Sequence, residues 1–144
     1  MNTAAVSIII NEGLILGVTR KLSKKQPEKL WGLSGGKAES GELMGATAVR
    51  ETKEETGISI AHSGLFFIFE RVESGAKIDG IDFRTTCFYA PSWSGKIKAE
   101  EGLDVEWITL NTLLDKKTGA FPDYNNETFL SFKEKFPKVF KTLK

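Results

Sequence analysis

The chain predicts an α/β domain of the α+β kind, built on a mixed sheet rather than a doubly wound parallel one. Three observations predict it. Two pairs of β-type runs are each joined by a turn signal: residues 4–10 with 14–20 across Asn11-Glu12-Gly13, and residues 65–72 with 81–90 across the polar, glycine-bearing stretch 73–80. Helical segments are few, so the sheet is not assembled from repeated strand–helix–strand crossovers. The length of 144 residues suits one domain, 1–144, and leaves no room for a second of ordinary size.

The elements follow in order. After the first hairpin comes a Lys-rich loop with Pro27, then a short strand near residues 30–33 and a loop at Gly35-Gly36. A helix is expected over residues 43–56, with Ser40 as candidate N-cap and Gly57 as its stop. Beyond the second hairpin, residues 93–98 form a β-type run that precedes the acidic Glu100-Glu101-Gly102, and 105–109 form a further strand. Residues 110–116 suit a short helix. The tail from Asn125 is helical, with Phe129, Phe132, Phe136 and Phe140 spaced three and four apart as a core stripe, until Pro137 breaks or kinks it.

Composition excludes several classes. With 40% hydrophobic and 27% charged residues, the chain reads as a soluble globular protein. A net charge of +1 gives no electrostatic footprint for nucleic acid or a membrane. Positive charge is local: Lys21, Lys24, Lys25 and Lys29 crowd the loop before the glycines, as solvated surface or as a funnel for phosphates, and five more lysines crowd the C-terminus as solvated surface. Cys87 is alone in an apolar run, so it offers neither a disulfide nor a cysteine zinc site, reads as core, and is compatible with a cytoplasmic protein. The N-terminal apolar run lacks a basic lead and a cleavage pattern, which reads as a buried strand. No apolar stretch approaches membrane-spanning length.

Residues 36–58 carry the chemistry: GKAESGELMGATAVRETKEETGI. Glu51, Glu54 and Glu55 stand at i, i+3 and i+4, on one side of a helix and within a turn of one another. Three like charges so close repel, and a hard divalent cation bound by their oxygens removes the repulsion; Mg²⁺ is the usual one. Arg50 lies four residues before Glu54, so an ion pair that fixes a carboxylate rotamer is open to it. Lys37 is placed to touch a phosphate as a point charge. Taken alone, R-E-x-x-E-E is commonplace on solvated helices; the spaced Gly36, Glu42 and Gly57 reverse that balance.

The segment resembles the Nudix box, G-x5-E-x7-R-E-U-x-E-E-x-G-U, in which U is a bulky apolar residue. Thr52 departs at one U position, and Ser34 stands where proline is common in the lead-in Trp31-Gly32-Leu33-Ser34-Gly35-Gly36. The chain is accordingly identified as resembling the Nudix (MutT-like) hydrolases. The resemblance implies an α/β/α sandwich with a mixed central sheet, on one side of which the box forms a loop-helix-loop. It implies Mg²⁺, with Mn²⁺ as an alternative ion, held by Glu51, Glu54, Glu55 and the carbonyl of Gly35. Glu42 would support that cluster, and Glu51, Glu54 and Arg50 are the candidate catalytic residues; the general base varies within the family and is not assigned. Glu100 and Glu101 are candidates for a further acidic ligand, or for a solvated turn.

Two patches bear on the substrate. Thr19-Arg20 resembles the Thr-Arg pair of MutT-type nucleoside triphosphate pyrophosphohydrolases, which puts Arg20 at the nucleotide; a plain strand-end arginine is the alternative. Residues 121–127, FPDYNNE, resemble the F-P-x-x-N-E stretch whose Asn reads the base, with one residue extra, so Asn125 and Asn126 compete for that role and for that of helix N-cap. No Pro or Tyr lies between Ile58 and Tyr89, which tilts away from ADP-ribose and dinucleoside polyphosphates. The expected function is Mg²⁺-dependent cleavage of a nucleoside triphosphate to monophosphate and pyrophosphate, by a monomer or homodimer with a small-molecule nucleotide as its partner. The alternatives are an X-linked nucleoside diphosphate as substrate, or a nucleotide-binding domain with little turnover.

Overall fold

Strand β1, Asn2–Ile8, runs through the middle of the sheet. Its apolar residues are covered on both faces, as a near-continuous hydrophobic run demands. In this computed structural model, which describes residues 2–20, 29–73 and 82–144, β1 pairs parallel to β7 (Phe83–Tyr89) and antiparallel to β4 (Leu30–Lys37). The expected hairpin of 4–10 with 14–20 is therefore only its tip. Ile10–Asn11 (β2) pairs with Leu14–Arg20 (β3) through Ile10↔Ile15 and Asn11↔Leu14. Glu12 and Gly13 turn at φ 50° and 81°, the double positive φ that matches strand twist in a two-residue turn. The run divides at Ile9 because Ile8 and Ile9 fill opposite cores.

Strand β4 corrects a second expectation. It does not stop at Leu33 before a glycine loop but continues through Gly35 and Gly36, which pair with Val6 and Ala5. The approach is too close for a side chain: at Gly35, φ 149°, a Cβ would fall 2.0 Å from the Ala5 carbonyl oxygen.

Helix α1, Met44–Thr56, begins one residue later than expected and stops at Gly57 in the left-handed region (φ 78°), whose N–H bonds to Lys53 O. Ser40 is not its N-cap. The cap position falls to Leu43, without a side-chain bond, because Ser40 sits in the turn that precedes it. Strands β5 (Ser59–Ile60) and β8 (Trp93–Ser94) make a small separate ribbon, all that forms of the 93–98 run. Strand β6, Phe66–Glu73, pairs antiparallel with β7 as expected. Strand β9, Val105–Ile108, pairs antiparallel with β3. The sheet order is β2-β3-β4-β1-β7-β6, with β9 also on β3, so the sheet is mixed.

Helices α2 (Leu110–Leu114), α3 (Pro122–Lys135) and α4 (Pro137–Phe140) close the other face. Pro137 divides the tail as its missing N–H and ring require. Phe129 and Phe132 are buried with Ile8, Ile68 and Cys87 in one core, and Phe136 and Phe140 pack against it. Burial pushes the Cys87 thiol far up, which leaves it inert. A second core, with Ile9, Leu16, Val18 and Ile58, takes Val49 of α1. Helices on both faces of a mixed sheet give the α/β/α layering.

Candidate active site

The box helix presents its charged side to the start of the segment that leads into it. Arg50 is the hub. Its Nε and Nη2 donate to both oxygens of Glu42, each at 2.8 Å, the paired geometry that a planar guanidinium suits. Its Nη1 reaches Glu51 Oε1 at 2.9 Å and Glu54 Oε2 at 3.2 Å, and Nη2 also donates to Lys37 O at 3.1 Å. The i, i+4 pair with Glu54 thus forms, but it is longer than the pairs with Glu42 and Glu51; Glu39 stands farther still, at 3.8 Å. Glu42, off the helical arc, is brought in by the turn at residues 40–41 and takes further bonds from Thr47 Oγ1 and the Glu39 N–H. Arg50, with these two bonds, holds the Glu42 carboxyl down to about 2. Glu42 in turn holds the Arg50 guanidinium in its charged form.

Glu55 lies on the inner side of the same helix. It is buried, its Oε1 accepts the Gly35 N–H at 2.9 Å, and the Arg20 Nη2 stands 3.4 Å away. Burial raises its pKa, against the pull of Arg20 and the Gly35 N–H; Glu51 and Glu100 add to the rise. Glu100 therefore lies within electrostatic reach of the site, and its N–H bonds to Glu55 O at 2.9 Å. Glu51 crosses to the glycine strand: a Cβ on Gly36 would come within 2.7 Å of the Glu51 carboxylate. Glu54 is half exposed.

A cleft of about 500 Å³ opens beside Gly35 and Gly36. Arg20, Lys37 and Asn125 line it; Lys29, which pairs with Asp104 at 3.7 Å, lies at the same cleft. Lys21, Lys24 and Lys25 fall outside the described residues. Asn125 is buried, with Nδ2 donating to Leu113 O at 2.9 Å, whereas Asn126 bonds to Pro122 O at 2.8 Å and does not line the cleft. Neither caps α3, which starts at Pro122 and places both inside it; the fixed φ of proline suits the first turn and moves the start upstream.

Sequence reasoning missed the apolar walls. Phe83 and Thr85 alternate on β7 beside Ala4 and Val6 of β1, so all four face one side. Phe121 and Tyr124 close the cleft from α3, with Tyr124 Oη donating to Thr85 O at 3.2 Å. The period-two pattern of β7 was the available signal, but it does not say what the strand faces.

A family model described as NUDIX domain matches residues 1–127. The chain belongs to the Nudix family. The 8-oxo-dGTP diphosphatase of Escherichia coli (strain K12) is 30% identical over 131 residues, covering 90% of this chain and 94% of that protein. The Mus musculus protein nucleoside diphosphate-linked moiety X motif 6 is 32% identical over 104 residues, 69% of this chain but 33% of that longer protein. Among solved structures, the MutT NUDIX hydrolase from Burkholderia pseudomallei superposes with a TM-score of 0.72 at 22% identity over 88% of this chain and 96% of that one. The E. coli ORF135 protein gives 0.73 at 22% over 94% and 93%. The chain is thus a Nudix pyrophosphohydrolase.

Nudix hydrolases generally use divalent metals. Among the described residues no three acidic, imidazole or thiol side chains converge tightly enough to enclose an ion. The donor chemistry nonetheless fits one: Glu51 against a glycine with no Cβ to bar its approach, and a buried Glu55 whose carboxylate a cation would stabilise. No helix among the described residues is long and apolar enough to cross a membrane.

Proposed function

We propose that this Nudix enzyme is a Mg²⁺-dependent nucleoside triphosphate pyrophosphohydrolase, releasing a monophosphate and pyrophosphate. The observation that carries this reading is the juxtaposition of the Arg50-bound carboxylates with an aromatic-walled cleft that Arg20, Lys37 and Asn125 line. Glu51, Glu54, Glu55 and the Gly35 carbonyl would hold the ion, with Glu100 a further carboxylate within electrostatic reach of Glu55. The ion supplies charge screening on the phosphates and a more acidic water. Arg50 fixes Glu51 and Glu54, the two carboxylates available to take the proton of the attacking water. Lys37 and Arg20 meet phosphate charge. Phe83, Tyr124 and Asn125 line the part of the cleft where a base would sit, two aromatic rings and one amide. The 8-oxo-dGTP named for the E. coli relative places an oxidised purine nucleotide first in the panel to be assayed.

The test is steady-state turnover of a nucleoside triphosphate panel with Mg²⁺. Glu54→Gln and Glu55→Gln are expected to lower kcat by about a hundredfold or more. Wild-type rates in both variants would refute the metal assignment. The relative named for nucleoside diphosphate-linked compounds supports a second reading, an X-linked nucleoside diphosphate as substrate, which the same panel widened to such compounds would reveal.

A further inference from the structure

Arg20 ends β3 beside β4, opposite Leu30, and one nitrogen of its guanidinium serves three oxygens. Nη2 donates to Leu33 O at 3.0 Å and to Gly35 O at 2.7 Å, and contacts Glu55 Oε1 at 3.4 Å. The same Glu55 oxygen accepts the Gly35 N–H. Two of these three acceptors, the Gly35 carbonyl and the Glu55 carboxylate, are atoms assigned above to the divalent ion. A guanidinium keeps its charge at any working pH, so it cannot step aside by losing a proton. Two cations drawn to the same pair of oxygens repel each other, most strongly where water is scarce, and the Glu55 side chain is only 9% exposed. Arg20 has somewhere to go, because it also lines the cleft.

We propose that Arg20 is a positioning residue that acts as the resting-state counter-ion of the glycine strand, holding Gly35 and Glu55 together until a divalent ion displaces it from Glu55 toward the cleft. The proposal rests on the metal reading given above. Its consequence is a coupling between sites: an anionic nucleotide that attracts the released guanidinium strengthens ion binding, and the ion strengthens nucleotide binding by the same factor.

The experiment compares wild type, Arg20→Met and Arg20→Lys without nucleotide. Melting is followed in chelator and in saturating Mn²⁺, and Mn²⁺ affinity is measured by calorimetry. Arg20→Met is expected to melt lower than wild type in chelator and to recover with Mn²⁺, so its ion-induced gain in Tm is about double that of wild type. Its Mn²⁺ affinity rises about fivefold or more, with Arg20→Lys between the two. A merely structural arginine would lower Tm equally in both conditions and leave the affinity unchanged or weaker, and that result overturns the proposal. Folding of Arg20→Met only when Mn²⁺ is present supports it; if that variant folds in neither condition, an unchanged or weaker affinity in Arg20→Lys overturns it. If wild type binds no Mn²⁺, the metal reading fails and the role of Arg20 fails with it; if wild type binds and Arg20→Met binds no more tightly, only the latter fails.

Discussion

The two sides of α1 hold the helix by opposite means. The side toward the turn at residues 40–41 is ionic: Arg50 reaches Glu42, Glu51 and Glu54 at 2.8–3.2 Å, partly open to solvent. The side toward the sheet is buried, yet three of its residues are threonines rather than aliphatics: Thr47, Thr52 and Thr56 are all fully buried. Their hydroxyls are occupied. Thr56 Oγ1 donates to Thr52 O at 2.6 Å and accepts from the Ile58 N–H at 3.1 Å. Thr52 Oγ1 pairs with Ser34 Oγ at 3.2 Å, so the two departures from the family pattern meet each other. Ser7 stands opposite Ser34 in the β1–β4 register, buried, with no partner for its Oγ among the described residues. The difference teaches that chemistry and anchorage are carried by separate sides of one helix and can be perturbed separately.

The strongest way to break that separation is at the ionic side. Arg50→Ala leaves Glu42, Glu51 and Glu54 without their common cation, and turnover should fall about 10–100-fold or more, since the orientation of the proposed ion ligands is lost. Arg50→Lys should recover little, because an ammonium cannot hold both Glu42 oxygens in a fork while reaching Glu51. Steady-state kcat and KM over a Mg²⁺ titration read the effect; wild-type kcat/KM in Arg50→Ala would mean that Arg50 orients nothing the reaction uses.

The sheet side is tested by a double-mutant cycle. Ser34→Ala or Thr52→Val alone strands a buried hydroxyl and should cost about 1–3 kcal/mol. Together they remove both partners, so the double variant should lose less than the sum, with a coupling of about 1 kcal/mol. Urea unfolding measures it, and turnover per folded molecule should not change. Additive losses would show that the 3.2 Å contact contributes nothing.

The same two sides mark what the sequence could tell. The carboxylate spacing, the Gly57 stop and the β6–β7 hairpin are local, and local signals were legible. The stronger bonds of Arg50 to Glu42 were not, because they depend on a turn folding the chain back over the helix rather than on a period. Gly35 and Gly36 read as loop by propensity, but the pairing of β4 with β1 needs residues that lack a Cβ. The place of β1 beside β7 joins residues some eighty positions apart, and no pattern within either strand names its neighbour. The cleft inherits that limit: its walls come from β1, β7 and α3, so Phe83 and Thr85 were invisible as site residues while Arg20 and Lys37, next to recognisable motifs, were not.

The smallest expected effect sharpens the boundary between the two sides, at Glu42, where Thr47 from the sheet side and Arg50 from the ionic side meet one carboxylate. In the fold this group titrates at about 2, below its ordinary 4.5, chiefly because of Arg50. A carboxyl lowered by folding stabilises the fold above its unfolded pKa, and the contribution fades as pH falls through the folded value. Wild type should therefore exceed Glu42→Gln in urea midpoint at pH 5–7, with the difference shrinking between about 4.5 and 2. The loss stays modest because the pair borders solvent and salt screens it, so added salt should narrow the gap at neutral pH. A gap that persists unchanged to pH 2 would assign the role of Glu42 to its neutral bonds with Thr47 and Glu39, and would move it from the ionic side of the helix to the other.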